Sequence, residues 1–366
     1  MRLPRPSAID RATIGRILLA LGIGAAGGFG FDRLGVPAGW LSGAAIAVAV
    51  AAIAELPVRF PKLLRQVAFL VLGTGMGAAV TPEAFADAGE WPLAILALVV
   101  VVVALTASSY VLLRRLGGFD RPSAMCASSP GALSHVLATA IDAGVSVPRV
   151  ALAQSLRLVV LVAVLPPVIA SLGGGAGLGE ASLPATAGPV EAVLMLVPCG
   201  LVGYLAYRLR VPAGMLLGAF VTSAALHGFG VFHTRLPDAA LDPAFVLLGT
   251  TIGAAFAGTS RATLLTALRG SAASLAAVLA LSLGFAWAFS AAFGAPFGEI
   301  VLAFAPGGIE AMVTLAFLLG YDVPFVAAMH LVRILILIFG LPIALRLVGV
   351  VPARKRSARP GPGAGA

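Results

Sequence analysis

The sequence predicts an all-α integral membrane protein made of two inverted repeats, each with about five transmembrane helices and one re-entrant or broken helical hairpin. Three observations predict it. First, 60% of the 366 residues are hydrophobic and 11% are charged, with mean hydropathy +1.05, which excludes a soluble globular class, where about 25% of residues carry charge. Second, the chain is written twice: VPAGWLSG at 36–43 returns as VPAGMLLG at 211–218, and LGTGMGAA at 72–79 returns as LGTTIGAA at 248–255. From there Pro130-Gly131, Pro148, Arg157 and Pro166 each find a counterpart 176 residues on, at Pro306-Gly307, Pro324, Arg333 and Pro342. Third, the loop charges fit only one threading through a bilayer. Long apolar repeats of this kind are the sequence sign of transporter-like membrane proteins, and solenoid units are far shorter.

The elements follow in order. After a cytoplasmic N-terminus at 1–13, hydrophobic segments fall near 14–31, 37–54, 62–80, 91–113, a weaker 122–141, and 148–170, which together form repeat 1. Arg2, Arg5, Arg11 and Arg16 before the first segment imitate a secretory signal, but adding 176 places it on 190–207 inside the chain, so it belongs to the architecture. A glycine-rich linker spans 171–189. Repeat 2 (190–348) has segments near 190–207, 212–229, 241–258, 264–293, 297–319 and 324–348, and a basic disordered tail closes the chain at 349–366.

Arg59, Lys62 and Arg65 read as cytoplasmic, Glu83, Asp87 and Glu90 as external, and Arg114, Arg115 and Arg121 as cytoplasmic. If 122–141 crossed fully, the stretch 171–191, whose charges are Glu180 and Glu191, would be cytoplasmic and the tail with Arg346, Arg354, Lys355, Arg356 and Arg359 external. Let that segment enter and leave on one side, and the linker becomes external while Arg208, Arg210, Arg261, Arg269 and the basic tail become cytoplasmic. Five crossings per repeat is an odd number, so the halves are inverted and both termini face the cytoplasm of a bacterial inner membrane. The net charge of +9 is dispersed through short loops, which fits positive-inside bias rather than direct nucleic-acid binding. Cys126 and Cys199 sit in different repeats in apolar surroundings, indicating neither a disulfide framework nor a metal pair.

The residues that could carry chemistry gather at the fifth and sixth segments. Ser129-Pro130-Gly131 and Pro306-Gly307-Gly308 interrupt apolar segments and free backbone groups, which is tolerated at membrane depth only in buried or cavity-lining positions. Two such breaks at matching places point to half-helix ends that hold an ion or solute; the plainer reading is a pair of proline kinks. Glu310 follows the second break with Ser134 as its counterpart, and an intramembrane carboxylate is a functional candidate by default, or else a structural ion-pair partner. His135 adjoins the first break and could titrate near neutral pH. Arg157 and Arg333 each stand nine residues past a helix-starting proline, about 13 Å into a span. Gln154 and His330 precede them by one turn on the same face. Either arginine could bind an anion or neutralise Glu310 or orphaned carbonyls. Gly73-Thr74 and Gly249-Thr250-Thr251 are secondary candidates, with small-residue packing as the better reading. Asp142 and Asp322 read as caps or interfacial charges.

The duplicated VPAGxLxG, the LGTxxGAA segment and the SPGALSHV/APGGIEAM pair resemble the Gram-negative AbrB-duplication membrane protein family, from about residue 14 to 348. The resemblance implies either a regulator of gene expression or an ammonia monooxygenase, the two activities ascribed to that family. It also implies distant kinship with inverted-repeat cation:proton antiporters and with glutamate and citrate symporters. The symporters' GG loop is kept at Pro306-Gly307-Gly308, while repeat 1 has Pro130-Gly131-Ala132. A metal monooxygenase needs a ligand cluster, and four histidines, two of them six residues apart at His227 and His233, supply a poor one. The expected function is therefore a secondary transporter of a small anionic or polar solute, coupled to H+ or Na+, with a membrane-embedded regulator or sensor as the alternative. No enzymatic activity, cofactor or metal is expected. Expected partners are the lipid bilayer, the solute, the coupling ion and a second copy in a homodimer.

Overall fold

The computed structural model describes residues 11–80, 91–130, 133–142, 145, 147–172, 185–259 and 261–349; within its helices the side chains of 133–135, 138, 142 and 261–267 are not described. The expectations for both termini, for most of the glycine-rich linker and for Glu83, Asp87 and Glu90 lie outside the described residues. Those residues hold fourteen helices: α1 (Arg11–Arg33), α2 (Gly39–Ile53), α3 (Lys62–Gly77), α4 (Trp91–Leu116), α5 (Arg121–Ser128), α6 (Leu133–Asp142), α7 (Val147–Ser171), α8 (Pro189–Arg208), α9 (Gly214–Gly228), α10 (Asp238–Gly253), α11 (Arg261–Phe293), α12 (Phe297–Phe304), α13 (Ile309–Leu319) and α14 (Val323–Leu347). Both ends of α10, α12 and α14 fall 176 residues after those of α3, α5 and α7, and α9 falls 175 after α2.

Seven helices are long and apolar enough to cross a membrane: α1, α4, α7, α8, α11, α14, and α10 together with the 3-10 turn Ala254–Phe256 that continues it. The ten segments expected to cross therefore divide. α2 and α9 have 15 residues and α3 has 16, about 22–24 Å of helix against a hydrocarbon core of about 30 Å. α2 and α9 each begin at a tight turn. Ala38 and Ala213 cap α2 and α9 in the left-handed conformation at φ 57° and 51°. The glycine that follows each lies against the preceding helix, where a side chain would come within 2.6 Å of the Asp32 nitrogen or 2.7 Å of the Ala206 carbonyl carbon. VPAGxLxG thus encodes a close helical turn.

Two groups of helices result. In the first, α2 and α9 pack on their predecessors α1 and α8, and crosswise on α10 and α3. LGTxxGAA makes the cross contact: Gly73 abuts Leu216–Phe220 and Gly77 abuts Phe220–Ala224, while Gly249 abuts Leu41–Ala45 and Gly253 abuts Ala45–Ala49. Residue numbers rise together across both seams, so α3 runs parallel to α9 and α2 parallel to α10. The second group joins α4, α11, α7, α14 and the short pairs α5–α6 and α12–α13. Ser109 and Ser274 hydroxyls meet at 2.7 Å while Gly117 lies against Gly270; numbers rise on one helix as they fall on the other, so α4 and α11 are antiparallel. α7 packs on α2 and α10, and α13 on α3, which joins the groups. α1 and α8 remain the least buried spans, with Leu18, Val190 and Leu201 outward, as surfaces solvated by lipid tails require.

Candidate functional site

The segments 122–141 and 297–319 each fold as two short helices around a break. Asp120 caps α5, its carboxylate accepting from Ser123 N at 3.2 Å, and Pro122 fits the first turn, where no N–H is needed. The helix stops at Ser129, whose backbone is extended at φ −66°, ψ 117°, because the residue before a proline is pushed out of helical geometry. Ala305 stops α12 in the same way before Pro306 at φ −58°, ψ 133°, and Gly308 opens α13 at φ −72°, ψ 142° without a side-chain cap. Both prolines are buried.

Each hairpin leaves by the end at which it entered. Arg149, at the start of α7, lies over the Phe119 ring at 4.9 Å, beside the start of α5, while Gln154 and Arg157 reach the break at its far end. Likewise the carboxylate of Glu299 in the first turn of α12 accepts from the N–H of Asp322 before α14 at 3.2 Å. Asp322 also caps α14, accepting from Phe325 N at 3.0 Å. The following helix therefore stands alongside its hairpin, with its mid-section level with the break.

That placement explains the two buried arginines. Four terminal carbonyls of any helix lack partners within it. At the first break Arg157 donates to the Ala127 carbonyl at 2.5 Å, and Gln154 Nε2 donates to the carbonyls of Cys126 and Ser129 at 3.2 and 3.4 Å. At the second, Arg333 Nη1 donates to the Ala305 carbonyl and Nη2 to that of Gly307 at 2.6 Å. A cation at a helix C-terminus offsets the macrodipole as well as the orphaned acceptors. Arg157 is 7% and Arg333 2% exposed, and the guanidiniums lie within electrostatic range of one another. Between the alternatives the sequence left open, the carbonyls are the partners found; among the described residues the one ion pair is Arg235–Asp238.

Glu310, in the first turn of α13, is partly buried with an oxygen beside Gly308. It lies in the field of Arg65 on α3, a residue the sequence offered only as a topology marker. Its Nε and the neighbouring Gln66 Oε1 are buried without partners. The signal for it is a charge placed a turn inside an apolar helix; the repeat register gives none, since its counterpart is Leu241. Gly308 also faces Leu158 of α7, so the second break looks onto the helix that serves the first.

His330 is wholly buried, with Nδ1 2.9 Å from the Val326 carbonyl and Nε2 without a partner. Ser129 Oγ and Arg333 Nε are likewise buried and unpartnered. Gly131 lies outside the described residues, and for Ser134 and His135 only the helical backbone of α6 is described. The secondary candidates lie in the seams of the first group. Thr74 Oγ1 returns to the Leu70 carbonyl at 2.9 Å and Thr251 Oγ1 to that of Leu247 at 2.8 Å. The Thr74 carbonyl accepts from Ser223 Oγ at 2.7 Å, and Thr250 Oγ1 faces Gly24 of α1.

Comparison with known proteins adds a family. The family described as "Transition state regulatory protein AbrB" matches residues 40–349. A protein of Escherichia coli (strain K12) named "Putative regulator AbrB" is 28% identical over 340 residues, covering 90% of this chain and 95% of the relative. The "Uncharacterized protein YhjN" of Bacillus subtilis (strain 168) is 25% identical over 366 residues, covering 92% of this chain and 94% of the relative.

Proposed function

This chain belongs to the AbrB family, and from that premise we propose that it is a secondary transporter of the bacterial inner membrane. It moves a small anionic or polar solute by alternating access between two inverted repeats, coupled to H+ or Na+. The observation that carries this reading is the pair of broken hairpins, each opening beside a buried arginine on the helix that follows. Intramembrane backbone of this kind lines solute paths in repeat-built transporters.

The inverted arrangement has independent support in helix directions. In an uninverted duplication, α4 and its counterpart α11 would run the same way; they run oppositely. Consecutive crossings alternate, so α3 beside α9 would also be antiparallel without inversion, and they are parallel. Hairpins that return to the face they left make the crossings odd in number, as the loop charges require. The bridge between Thr186 in the linker and Arg235 before α10 joins two stretches that this threading puts outside.

On this reading the first group is a frame, knitted by glycine seams, and the second carries the breaks. α7 and α13 form the moving contact between them. The chain acts without a catalytic step, cofactor or metal, and a homodimer is compatible with the apolar faces of α1 and α8. The family's naming favours a second reading, a membrane-embedded regulator whose effect on gene expression passes through solute level or a partner. Reconstituted vesicles separate the two: uptake of radiolabelled small anions above protein-free vesicles is the expected result. Binding with no flux in either direction, under pH and Na+ gradients alike, makes the chain a sensor.

A further inference from the structure

The two breaks differ in what they leave unused, and the difference names a ligand. At the first, the amide of Gln154 spends its N–H groups on Cys126 and Ser129 carbonyls. At the second, the corresponding place is held by His330. The Val326 carbonyl can only accept, so His330 Nδ1 carries the hydrogen of that 2.9 Å bond. A second ring proton would add a third positive charge beside Arg157 and Arg333, both buried. The ring is therefore neutral and Nε2 presents a bare lone pair, fully buried with no donor. One turn along the same helix, Arg333 Nε presents an N–H, also buried and also without an acceptor. Residues three apart on a helix have Cβ atoms about 5–6 Å apart, so the two groups leave α14 from the same side. Buried polar groups left unpaired are costly, and here one acceptor and one charged donor wait together.

Charge sets the sign of the ligand. Glu310 lies in the field of Arg65, and the two buried guanidiniums of Arg157 and Arg333 donate to carbonyls, so positive charge is in excess around the breaks and an anion is the favoured ligand.

We propose that the second break binds a monoanionic oxyanion that keeps one O–H, its charged oxygens accepting from Arg333 Nε and its hydroxyl donating to His330 Nε2. Bicarbonate, dihydrogen phosphate and a short 2-hydroxycarboxylate share this chemistry; acetate and nitrate carry the charge without the donor. This assignment rests on the transporter reading for its access route, and the test keeps the two apart.

The full-length protein in nanodiscs is titrated calorimetrically at neutral pH with bicarbonate, phosphate, glycolate, acetate and nitrate. At least one hydroxyl-bearing anion binds at least about tenfold tighter than acetate and nitrate, because an acceptor left unpaired by the wrong ligand discriminates strongly. Which of the three binds identifies the source. His330→Leu removes the acceptor, and its preference for glycolate over acetate falls to about one, with acetate affinity retained. Equal binding of glycolate and acetate by the unaltered protein overturns the proposal, as does a preference that survives His330→Leu, or binding of none of the five anions. The ligand series on the unaltered protein decides even where His330→Leu does not fold. Selective binding without vesicle uptake of that anion removes the transporter reading and leaves this one standing; uptake of a solute without hydroxyl-selective binding does the reverse.

Discussion

Among the described residues the first break leaves the Ser129 hydroxyl unpaired, whereas the second leaves a ring nitrogen of His330 and the Nε of Arg333. Gln154 and Arg157 divide three carbonyls between them, whereas at the second break Arg333 alone serves two and His330 serves none there. The two breaks share prolines and arginines 176 residues apart, yet at the second His330 keeps an unpaired ring nitrogen where Gln154 is bonded, and Glu310 stands in place of Ser134. Chemistry concentrates where the copies diverge, and architecture where they agree: the arginines and prolines are shared, the histidine and glutamate are not.

Substitutions at paired positions break or sharpen this comparison. The largest effect is expected at Arg333. Arg333→Ala strips the carbonyls of Ala305 and Gly307 of their donor in a buried place and costs about 3–5 kcal/mol, while Arg157→Ala, with Gln154 still bonded, costs about 2. Denaturation in mild detergent monitored by fluorescence ranks them, and equal losses would erase the distinction between the breaks. Next, Gln154→Leu should cost about 1–2 kcal/mol by freeing two carbonyls. His330→Gln copies the first break into the second, and its stability should change by no more than about 1 kcal/mol.

Glu310→Gln should be milder still. Neither buried arginine is bonded to Glu310, since both donate to carbonyls, so the amide should alter stability by less than about 1 kcal/mol while removing the pH dependence of solute movement. A destabilisation as large as that of Arg333→Ala would show that the carboxylate holds the site together. The smallest effect belongs to Arg235→Ala. Its partner Asp238 is 66% exposed, and surface pairs of this kind contribute about 0–1 kcal/mol.

Much of the fold was legible because the chain is its own comparison. The repeat register matches α3 to α10 and α5 to α12 at both ends, and proline before an apolar run located both breaks, since steric exclusion from helical geometry is a property of the residue itself. Arg157 and Arg333 were equally legible, as charges that a membrane helix tolerates only when they point inward. Their partners were legible only in part: orphaned carbonyls at the breaks were one alternative and Gly307 stood among the candidates, but a backbone carbonyl has no sequence signature, so Ala127 and Ala305 were not singled out. The approach of Arg65 to Glu310 joins helices distant in sequence and has no counterpart in the other repeat. The shortness of α2 and α9 was hidden for a different reason: VPAG reads as a helix start, while the apolar run beyond it continues past the turn that closes the helix.

The central claim is that the second break meets water from each side of the membrane in turn. A single cysteine at Gly308, in a chain with Cys126 and Cys199 replaced by alanine, tests it most directly by reaction with a membrane-impermeant maleimide in right-side-out and inside-out vesicles. Labelling in both preparations, slowed in both by the solute that binds, is the result expected. Labelling from one side alone under every pH and solute condition, or from neither, would contradict alternating access at this site.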